Sequence, residues 1–325
     1  MKITDSIYGN FEINEPVLAE IIKTKEMQRL KGVSQGAIFF LHPKITTTRF
    51  EHGVGVCLLL RSLGAQIEEQ IAGLIHDISH TAFSHVIDHV FKTKEENYHE
   101  EQFNAILSKS KIPEILSKHG FDLAKISDES NFHLLEKPLP DLCADRIDYF
   151  LRDSVSWGAL DLFQSKRIFS SLTAFGDSIV FNSQDIALES ARKFMRMDLD
   201  FWALARHGGA YEVLAEAIRL GLDSGAITKD DLFTEDAYVL EKLRNSGNKE
   251  ILSDLSLLKE TFAVEVFNKP GEGILSVQKK LRYIDPLVLS EDSPKKLSEL
   301  NRDFRKQLSE YVKNSTDCHF IRINR

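Results

Sequence analysis

Apolar residues recur along most of the chain at the three- and four-residue spacing of amphipathic helices. In the first such stretch, Leu18, Ile21, Ile22 and Leu30 share one face. The pattern therefore predicts helices over 16–31, 48–89 with breaks near 64 and at 79–82, 97–110, 138–156, and 184–222 with a weak point at 208–209. No apolar run approaches the roughly 20 residues that cross a bilayer, so we expect no membrane segment.

Shorter runs predict a few strands beside these helices. "KITDSIYGNFEI" and "LTAFGDSIVFN" are typical of hairpins, with turns at 8–10 and 176–177. "GAIFFLHP" fits a strand or a buried helix, and its proline ends it. After 225, short charged helices precede "FAVEVFN" and "LRYIDPLVL", which resemble strands, and a polar helix is expected at 293–313. We predict a mainly α fold with short β-hairpins, a core domain at 1–225 and a smaller mixed α/β appendage at 226–325.

Composition narrows the class of protein. The 325 residues are 42% apolar and 28% charged, as in an ordinary globular protein, and the N-terminus lacks an apolar signal-peptide core, so we expect a cytoplasmic location. Cys57, Cys143 and Cys318 are far apart and odd in number, which argues against disulfides and cysteine-based zinc sites. The net charge of -8 disfavours nucleic-acid binding, whereas a small anionic ligand remains possible because local arginines decide it.

The histidines are unevenly distributed, since seven of the eleven lie between His42 and His99. The segment "GLIHDISHTAFSH" carries three of them and an aspartate in apolar surroundings. Either these are hydrogen-bonded histidines on a solvated helix face, or they belong to a metal site. His76 and His80 are four residues apart, so a helix continuing through both would place them on one face, with Asp77 beside the first.

Two distant residues favour the metal site. His52 lies upstream in "TRFEHGVGV", and Asp145 lies in the amphipathic segment "LCADRIDYFLRDS". Imidazole and carboxylate ligands together suit Mn, Fe, Ni, Zn or Mg better than calcium. We therefore predict one divalent metal ion, with room left for water and substrate, held by His52, His76, Asp77 and Asp145.

Three segments then identify a resemblance to a known family. "RFEH", "HDISHTAFSH" and "ADRIDYFLRDS" resemble the signature segments of HD-domain metal-dependent phosphohydrolases, specifically the deoxynucleoside triphosphate triphosphohydrolase (dGTPase-like) branch. "EMQRLKGVSQ", "ITKDDLFTEDAYVLEKL" and "KLRYIDPLVL" also resemble segments of that branch. The resemblance implies an HD-domain helical core and the same set of four metal ligands.

The resemblance assigns catalytic roles to further polar residues. His85 and Asp88, three residues apart, match the family's acid/base pair, in which the carboxylate orients the imidazole for protonating a leaving oxygen. His80 and His99 match further histidines on the substrate side. For His99 the alternative is an exposed helix residue.

The resemblance also implies where substrate binds. Arg49 and Arg146 match phosphate-binding arginines, whose guanidinium geometry suits phosphate oxygens. The structural alternative is an ion pair of these arginines with Glu51 or Asp148. Residues that match the sugar pocket are Gln35, Tyr149 and Asp153.

Some positions depart from the family pattern. Gly36 stands where a bulky leucine commonly follows the glutamine, which puts discrimination between deoxyribose and ribose in doubt. Lys23 replaces an aspartate that reads an effector guanine, so activation by that mode is not expected. A tyrosine of the later substrate helix matches Trp202 or Ala203 without a secure alignment, and Arg206 and His207 could replace some of its contacts.

These features predict a metal-dependent phosphohydrolase that cleaves a (deoxy)nucleoside triphosphate into nucleoside and triphosphate. A nearer alternative acts on nucleoside monophosphates or other phosphoesters, and a rival of another class is a non-catalytic nucleotide-binding protein. The expected partners are a nucleotide substrate and further copies of the chain in a homo-oligomer.

Overall fold

The computed structural model of the protein describes residues 1–93, 97–291 and 293–324 and is mainly helical, as predicted. Its helices are α1 (Pro16–Ile22), α2 (Lys25–Arg29), α3 (Ile38–Leu41), α4 (Arg49–Ser62), α5 (Ile67–Ile75), α6 (Val86–Phe91), α7 (Tyr98–Lys109), α8 (Ile112–Lys118), α9 (Leu123–Ile126), α10 (Ala144–Trp157), α11 (Leu162–Ser170), α12 (Gln184–Met197), α13 (Ala205–Asp223), α14 (Asp236–Arg244), α15 (Lys249–Leu257), α16 (Leu297–Leu300) and α17 (Arg302–Asn314). Its strands are β1 (Lys2–Asp5), β2 (Gly9–Glu12), β3 (Leu172–Phe175), β4 (Ser178–Phe181), β5 (Val264–Phe267), β6 (Leu275–Gln278), β7 (Leu287–Val288), β8 (Lys295–Lys296) and β9 (Cys318–Ile323).

Helices α4, α5 and α10 contribute many residues to the larger hydrophobic core. Two glycines let α4 and α5 approach closely. A Cβ on Gly53 would lie 2.9 Å from the carbonyl oxygen of Leu74, and a Cβ on Gly73 would lie 2.5 Å from the Leu60 side chain. The end of α5 is therefore held against the first turns of α4, where the predicted ligand His52 lies.

A second hydrophobic cluster joins α6 to α13, α14 and α15. The antiparallel sheet β5-β9-β6 packs on α13 at a pair of glycines. A Cβ on Gly208 would lie 2.7 Å from Val277 in β6, and a Cβ on Gly209 would lie 2.7 Å from Val264 in β5. These two glycines, predicted as a weak point of the helix, lie inside α13 and form its contact with the sheet. The helix is instead interrupted earlier, by the π-helical turn Asp198–Trp202.

The other predicted elements are mostly confirmed, with shifted boundaries. Both hairpins are present as β1-β2 and β3-β4, and the run at 36–43 contains helix α3. The helix predicted over 16–31 is divided at Thr24, whose side chain caps α2, and the helix predicted over 138–156 begins only at Ala144. Strands β6 and β9 were not predicted. Strand β7 pairs in parallel with β4, so the C-terminal part extends a sheet of the main part, and the division into two domains at 225 stays a prediction.

Candidate metal centre and active site

The four predicted metal ligands come from three helices that meet at one end of a cavity. His52 lies in α4, His76 and Asp77 follow directly on α5, and Asp145 lies in the first turn of α10. Nε2 of His52 lies 2.8 Å from Oδ1 of Asp145 and 3.6 Å from Oδ2 of Asp77. Nε2 of His76 lies 3.5 Å from an oxygen of each carboxylate. Each side chain thus turns a ligand atom toward the same small volume.

The hydrogen bonds of the two histidines fit a metal ion in that volume. Nδ1 of His76 lies 2.8 Å from the carbonyl oxygen of Gly73, so Nδ1 carries the proton and Nε2 keeps its lone pair. That Nε2 atom is buried and has no hydrogen-bond partner among the described residues. Nδ1 of His52 donates in the same way to Oδ2 of Asp148 at 2.7 Å. A neutral His52 would therefore aim a lone pair at a carboxylate oxygen, unless a cation lies between them.

The electrostatics of the ligands agree with a cation site. Burial lowers the pKa of His52, but its hydrogen bonds with Asp145 and Asp148 outweigh this and raise it to about 9. Burial also lowers the pKa of His76, but the carboxylates of Asp77 and Asp145 outweigh it and raise this pKa to about 10. Without an ion the carboxylates hold protons on the imidazoles, so the site requires positive charge in either form.

A buried ion-pair network lies behind the ligands. The fully buried carboxylate of Asp148, which accepts from His52, also accepts from Nε of Arg152 at 2.8 Å, and Nη2 of Arg152 pairs with Asp5 at 2.7 Å. Gly55 of α4 leaves room for the guanidinium of Arg152, because a Cβ at that position would lie 2.0 Å from Nη2. From the sequence, Asp148 is expected only as a possible ion-pair partner of an arginine and is assigned no contact with a metal ligand. The i, i+3, i+7 spacing of Asp145, Asp148 and Arg152 on α10 is the signal that could have placed it on the ligand face.

Arg49 lies directly beside the metal ligands. Its Nη1 donates to Oδ2 of Asp77 at 2.8 Å and its Nε donates to the hydroxyl of Ser84 at 2.9 Å. The alternative ion pair with Glu51 is absent from the described contacts, because Glu51 forms the N-terminal capping box of α4 with Thr48. Burial raises the pKa of Asp77, but Arg49 and the neighbouring imidazoles hold it well below its ordinary value.

The helix break predicted at 79–82 begins earlier than expected, so no helix runs through both His76 and His80. Helix α5 ends at Ile75, and the chain then runs irregularly to His85 with positive φ angles at Phe83 and Ser84. This path, and not helical spacing, brings His80 to the cavity.

His80, His85 and His99 form a histidine cluster beside the metal centre. The rings of His80 and His99 stack with centroids 4.0 Å apart, and His85 lies 5.1 Å from His80 and 5.3 Å from His99. Nδ1 of His80 and Nδ1 of His99 are buried without a hydrogen-bond partner among the described residues. Burial and the charge of Arg49 hold the pKa of His80 well below its ordinary value. Burial and His85 likewise lower the pKa of His99 to about 3.

His85 and Asp88, predicted as an acid/base pair, lie within hydrogen-bond distance of each other. Nδ1 of His85 lies 3.1 Å from Oδ2 of Asp88, and the other oxygen of Asp88 accepts from the Thr93 hydroxyl and the Tyr98 backbone. Asp88 is therefore fixed by its other bonds and orients the ring. The imidazole of His85 is partly exposed on the cavity wall, where a substrate oxygen can reach Nε2.

The cavity has a volume of about 840 Å³, and its wall includes every predicted site residue except Asp88. Tyr149 packs edge-on against Trp202 with ring centroids 5.3 Å apart, and Nε1 of Trp202 donates to Asp153 at 2.7 Å. Burial raises the pKa of Asp153 to about 6. Gln35 lies on the same wall.

Arg146 reaches the cavity wall but is already bonded. Its Nη1 donates to the carbonyl oxygen of Asp141 at 2.5 Å, its Nη2 donates to that of Lys137 at 3.0 Å, and Glu136 lies 3.3 Å from Nη2. The ion pair considered for Arg146 is thus made with Glu136 and not with Asp148. The phosphate-binding role predicted for Arg146 would require some of these bonds to be exchanged.

The space beside Gly36 is filled from another part of the chain. Gly36 has a φ of 153°, and a Cβ there would lie 1.9 Å from the hydroxyl oxygen of Tyr211. Sequence reasoning missed Tyr211, which lies on α13 and faces the cavity. Its hydroxyl donates to the carbonyl oxygen of Gln35 at 3.3 Å. The wall that a bulky residue at 36 would form is therefore built by an aromatic ring.

Within the described ranges no helix combines the length and the apolar character needed to cross a membrane. The HD-domain family profile matches residues 49–153, which contain all four predicted metal ligands.

Full-length comparisons extend this match. The chain is 40% identical over 308 residues to the uncharacterized protein YdhJ of Bacillus subtilis (strain 168), covering 94% of each chain. It is 39% identical over 257 residues to the metal-dependent phosphohydrolase cns2 of Cordyceps militaris, covering 76% of this chain and 74% of that one. It is 24% identical to the deoxynucleoside triphosphate triphosphohydrolase SAMHD1 of Gallus gallus, covering 97% of this chain and 60% of that one. A phosphohydrolase structure from Bacteroides thetaiotaomicron VPI-5482 shares the fold, with a TM-score of 0.68, 19% identity and full coverage of both chains.

Proposed function

Because the chain belongs to the HD-domain family of metal-dependent phosphohydrolases, we propose that it hydrolyses (deoxy)nucleoside triphosphates to nucleoside and inorganic triphosphate. One observation supports the proposal most strongly: four side chains that could hold a cation line the same cavity as His85, whose imidazole is oriented by Asp88. The cavity's volume of about 840 Å³ accommodates a molecule of nucleotide size. The relative named as a deoxynucleoside triphosphate triphosphohydrolase supports the substrate class at low identity.

His52, His76, Asp77 and Asp145 would hold the divalent ion, whose chemistry is to polarise a phosphate oxygen and make a water molecule nucleophilic near pH 7. Arg49 binds the same phosphate through Nη2, because its Nε and Nη1 are already bonded and fix the guanidinium. Negative charge that develops on the phosphoryl oxygens is stabilised by this fixed cation.

The remaining protein groups complete the reaction. His85, oriented by Asp88, protonates the departing 5′ oxygen of the nucleoside. His80 and His99 face the substrate in their neutral form, because their pKa values are lowered. The sugar lies against Tyr149, Asp153 and Gln35.

Product identification across the eight common nucleoside triphosphates, with Mn²⁺ or Mg²⁺, tests the proposal. Inorganic triphosphate and free nucleoside are the expected products, and the metal-stripped protein is the matched control. Release of orthophosphate from the same substrates would refute the triphosphohydrolase reaction while leaving a metal-dependent phosphohydrolase.

A second candidate is hydrolysis of nucleoside monophosphates or other phosphoesters. The bonds of Arg146 to backbone carbonyls and to Glu136 favour it, since they leave less positive charge beside the centre for a long phosphate chain. Adding nucleoside monophosphates and an aryl phosphate to the same panel separates the two candidates. A homo-oligomer and a cytoplasmic location stay predictions, and the mass of the protein in solution tests the first.

A further inference from the structure

The C-terminal sheet places three basic side chains on the wall of the catalytic cavity. Lys279, Lys280 and Arg282 follow strand β6 directly and line the same cavity as the metal ligands. Their position is set by close packing, because Gly208 of α13 leaves room for Val277 of β6. We call these three residues the basic rim.

The charged groups of the basic rim make few hydrogen bonds or ion pairs with the described residues. The ammonium groups of Lys279 and Lys280 form no hydrogen bond or ion pair with a residue in the described ranges, although Lys279 acts electrostatically on Asp198. Nη1 of Arg282 donates only to the carbonyl oxygen of Lys280 at 3.3 Å. Its nearest carboxylate oxygen, Oδ1 of Asp198, lies 3.9 Å away and is buried without a hydrogen-bond partner, since Tyr311 bonds the other oxygen.

The arginines nearer the metal centre are committed to other groups. Arg49 is bonded to Asp77 and Ser84, and Arg146 is bonded to two backbone carbonyls and paired with Glu136. A phosphate chain carries several charges, and each needs a cation or a hydrogen-bond donor when it leaves water. The basic rim therefore offers such a chain two lysine ammonium groups that are unpaired among the described residues, and the guanidinium of Arg282, whose ion pair with Asp198 is long at 3.9 Å.

Two aromatic side chains mark the path between the centre and the basic rim. Tyr149 lies one helical turn after Asp145, about 6 Å further along α10. Its ring contacts Trp202, and the guanidinium carbon of Arg282 lies 6.0 Å from the centre of the Trp202 ring. Burial raises the pKa of Tyr149 while Arg146 and Arg282 both lower it, which places its phenol within the field of both guanidinium groups.

We propose that Lys279, Lys280 and Arg282 bind the part of the substrate's phosphate chain that lies beyond the phosphate at the metal centre. This inference rests on the proposed function and adds a substrate class to it, compounds with two or more linked phosphates. A substrate with a single phosphate at the centre would not reach the basic rim. The appendage thereby supplies charge that the helical core lacks.

The test compares Lys279→Ala/Lys280→Ala with a matched double variant, Lys269→Ala/Lys313→Ala, which removes two exposed lysines of the same appendage outside the cavity. Calorimetry of the full chain at constant excess Mg²⁺ measures the binding of inorganic triphosphate and of orthophosphate. We expect the rim variant to bind triphosphate at least about tenfold more weakly, with orthophosphate binding unchanged and the control like the wild type. Arg282→Met, with its melting temperature recorded, should act in the same direction.

Kinetics give a second readout. The rim variant should raise KM for a nucleoside triphosphate about tenfold while kcat changes little, and kcat/KM for an aryl phosphate should stay constant. Unchanged triphosphate binding in the rim variant, or an equal loss in the control, would overturn the inference. If the wild type cleaves no nucleotide, the proposed function fails, and the binding measurement still decides whether the basic rim is a polyphosphate site.

Discussion

The two ends of the histidine-rich cavity hold the same side chain in opposite states. Carboxylates surround His52 and His76, and in the ion-free protein these raise the pKa of the imidazoles, against burial, to about 9 and about 10. His80 and His99 lie only a few ångströms further along, where burial and neighbouring positive groups lower the pKa, in the case of His99 to about 3. Asp77 touches both ends, since it lies 3.5 Å from His76 and 3.2 Å from His80.

The difference teaches that the neighbours, and not the residue type, decide what an imidazole does here. At the metal end His52, His76 and Asp77 are each fixed by a hydrogen bond to a residue outside the ligand set, and the grouped carboxylates favour a cation between them. In the histidine cluster three buried ring nitrogens, both of His80 and Nδ1 of His99, have no hydrogen-bond partner among the described residues, and burial lowers the pKa of these two rings. Under the proposed function, one end would hold a charge in place, and the other would present neutral imidazole nitrogens to the substrate.

Removing Asp77, which contacts both ends of the cavity, should have the largest effect on activity and metal content. Asp77→Ala deletes a metal ligand and the partner of Arg49, so we expect the activity to fall by at least about 10³-fold, together with the bound metal. Elemental analysis of the purified protein and a phosphohydrolase assay measure both. Asp223→Ala, at an exposed position at the end of α13, is the control. An Asp77→Ala protein with full metal content and activity would favour a non-catalytic role for the centre.

Replacing His85, the proposed general acid, should lower the activity without affecting metal binding. His85→Gln keeps a polar side chain but cannot donate a mobile proton, and we expect an activity loss of about 10²-fold with the metal content unchanged. His133→Gln, at an exposed position outside the cavity, should behave as the wild type. Loss of metal from the His85 variant would show that the two ends are not separate in function.

Weakening the support behind the ligands should have a smaller effect. Asp148→Asn keeps the shape of the side chain but weakens the acceptor for His52 and the pair with Arg152, so we expect metal affinity to fall about 10- to 100-fold. Asp153→Asn is a matched control on the same helix, because Asp153 bonds Trp202 and no ligand. Competition with a fluorescent chelator measures both, and equal losses would argue against a specific role for Asp148.

His207, which lies away from the metal-site carboxylates, should give the smallest effect and extend the comparison to a histidine with no role in the centre. Burial lowers the pKa of His207 to about 4, and its Nδ1 donates to the carbonyl oxygen of Phe201 at 2.7 Å. Between pH 6.5 and 4 the unfolded chain binds a proton at His207 that the folded chain does not, so this contribution to stability is complete above 6.5 and is lost as the pH falls. His207→Gln should reduce that loss in the free energy of unfolding by about 3 kcal/mol at pH 4. Denaturant titrations at several pH values measure it, and an unchanged pH dependence would contradict the assignment.

The candidate metal centre was accessible to sequence reasoning because histidine and aspartate are typical metal ligands and His76 and Asp77 are adjacent, although His52 and Asp145 are distant in the chain. The irregular path between His76 and His85 was not, because distant residues hold it. Nη2 of Arg29 donates to the carbonyl oxygens of Ile78 and His80, and Asp236 accepts from the backbone of Phe83. Local periodicity cannot report such bonds, so it predicts a break at 79–82 but not that α5 already ends at Ile75.

The appendage was harder to predict for a related reason. Strands β6 and β9 are short, and their burial depends on packing against α13 at two glycines. In the sequence those glycines indicate a weak helix, since the contact they permit lies about 60 residues further along. The position of the sheet at the cavity wall is therefore not predictable from local sequence pattern.

The contact between Gly36 and Tyr211 links two distant stretches of chain in one wall. A larger residue at 36 has no room while the ring is present, and removal of the ring alone leaves an open gap. Under the proposed function, a change in sugar preference at this wall would require a compensated pair of substitutions, and each single variant would understate the effect of the double variant. Anyone who wishes to redesign the selectivity of this protein should change both positions in the same step.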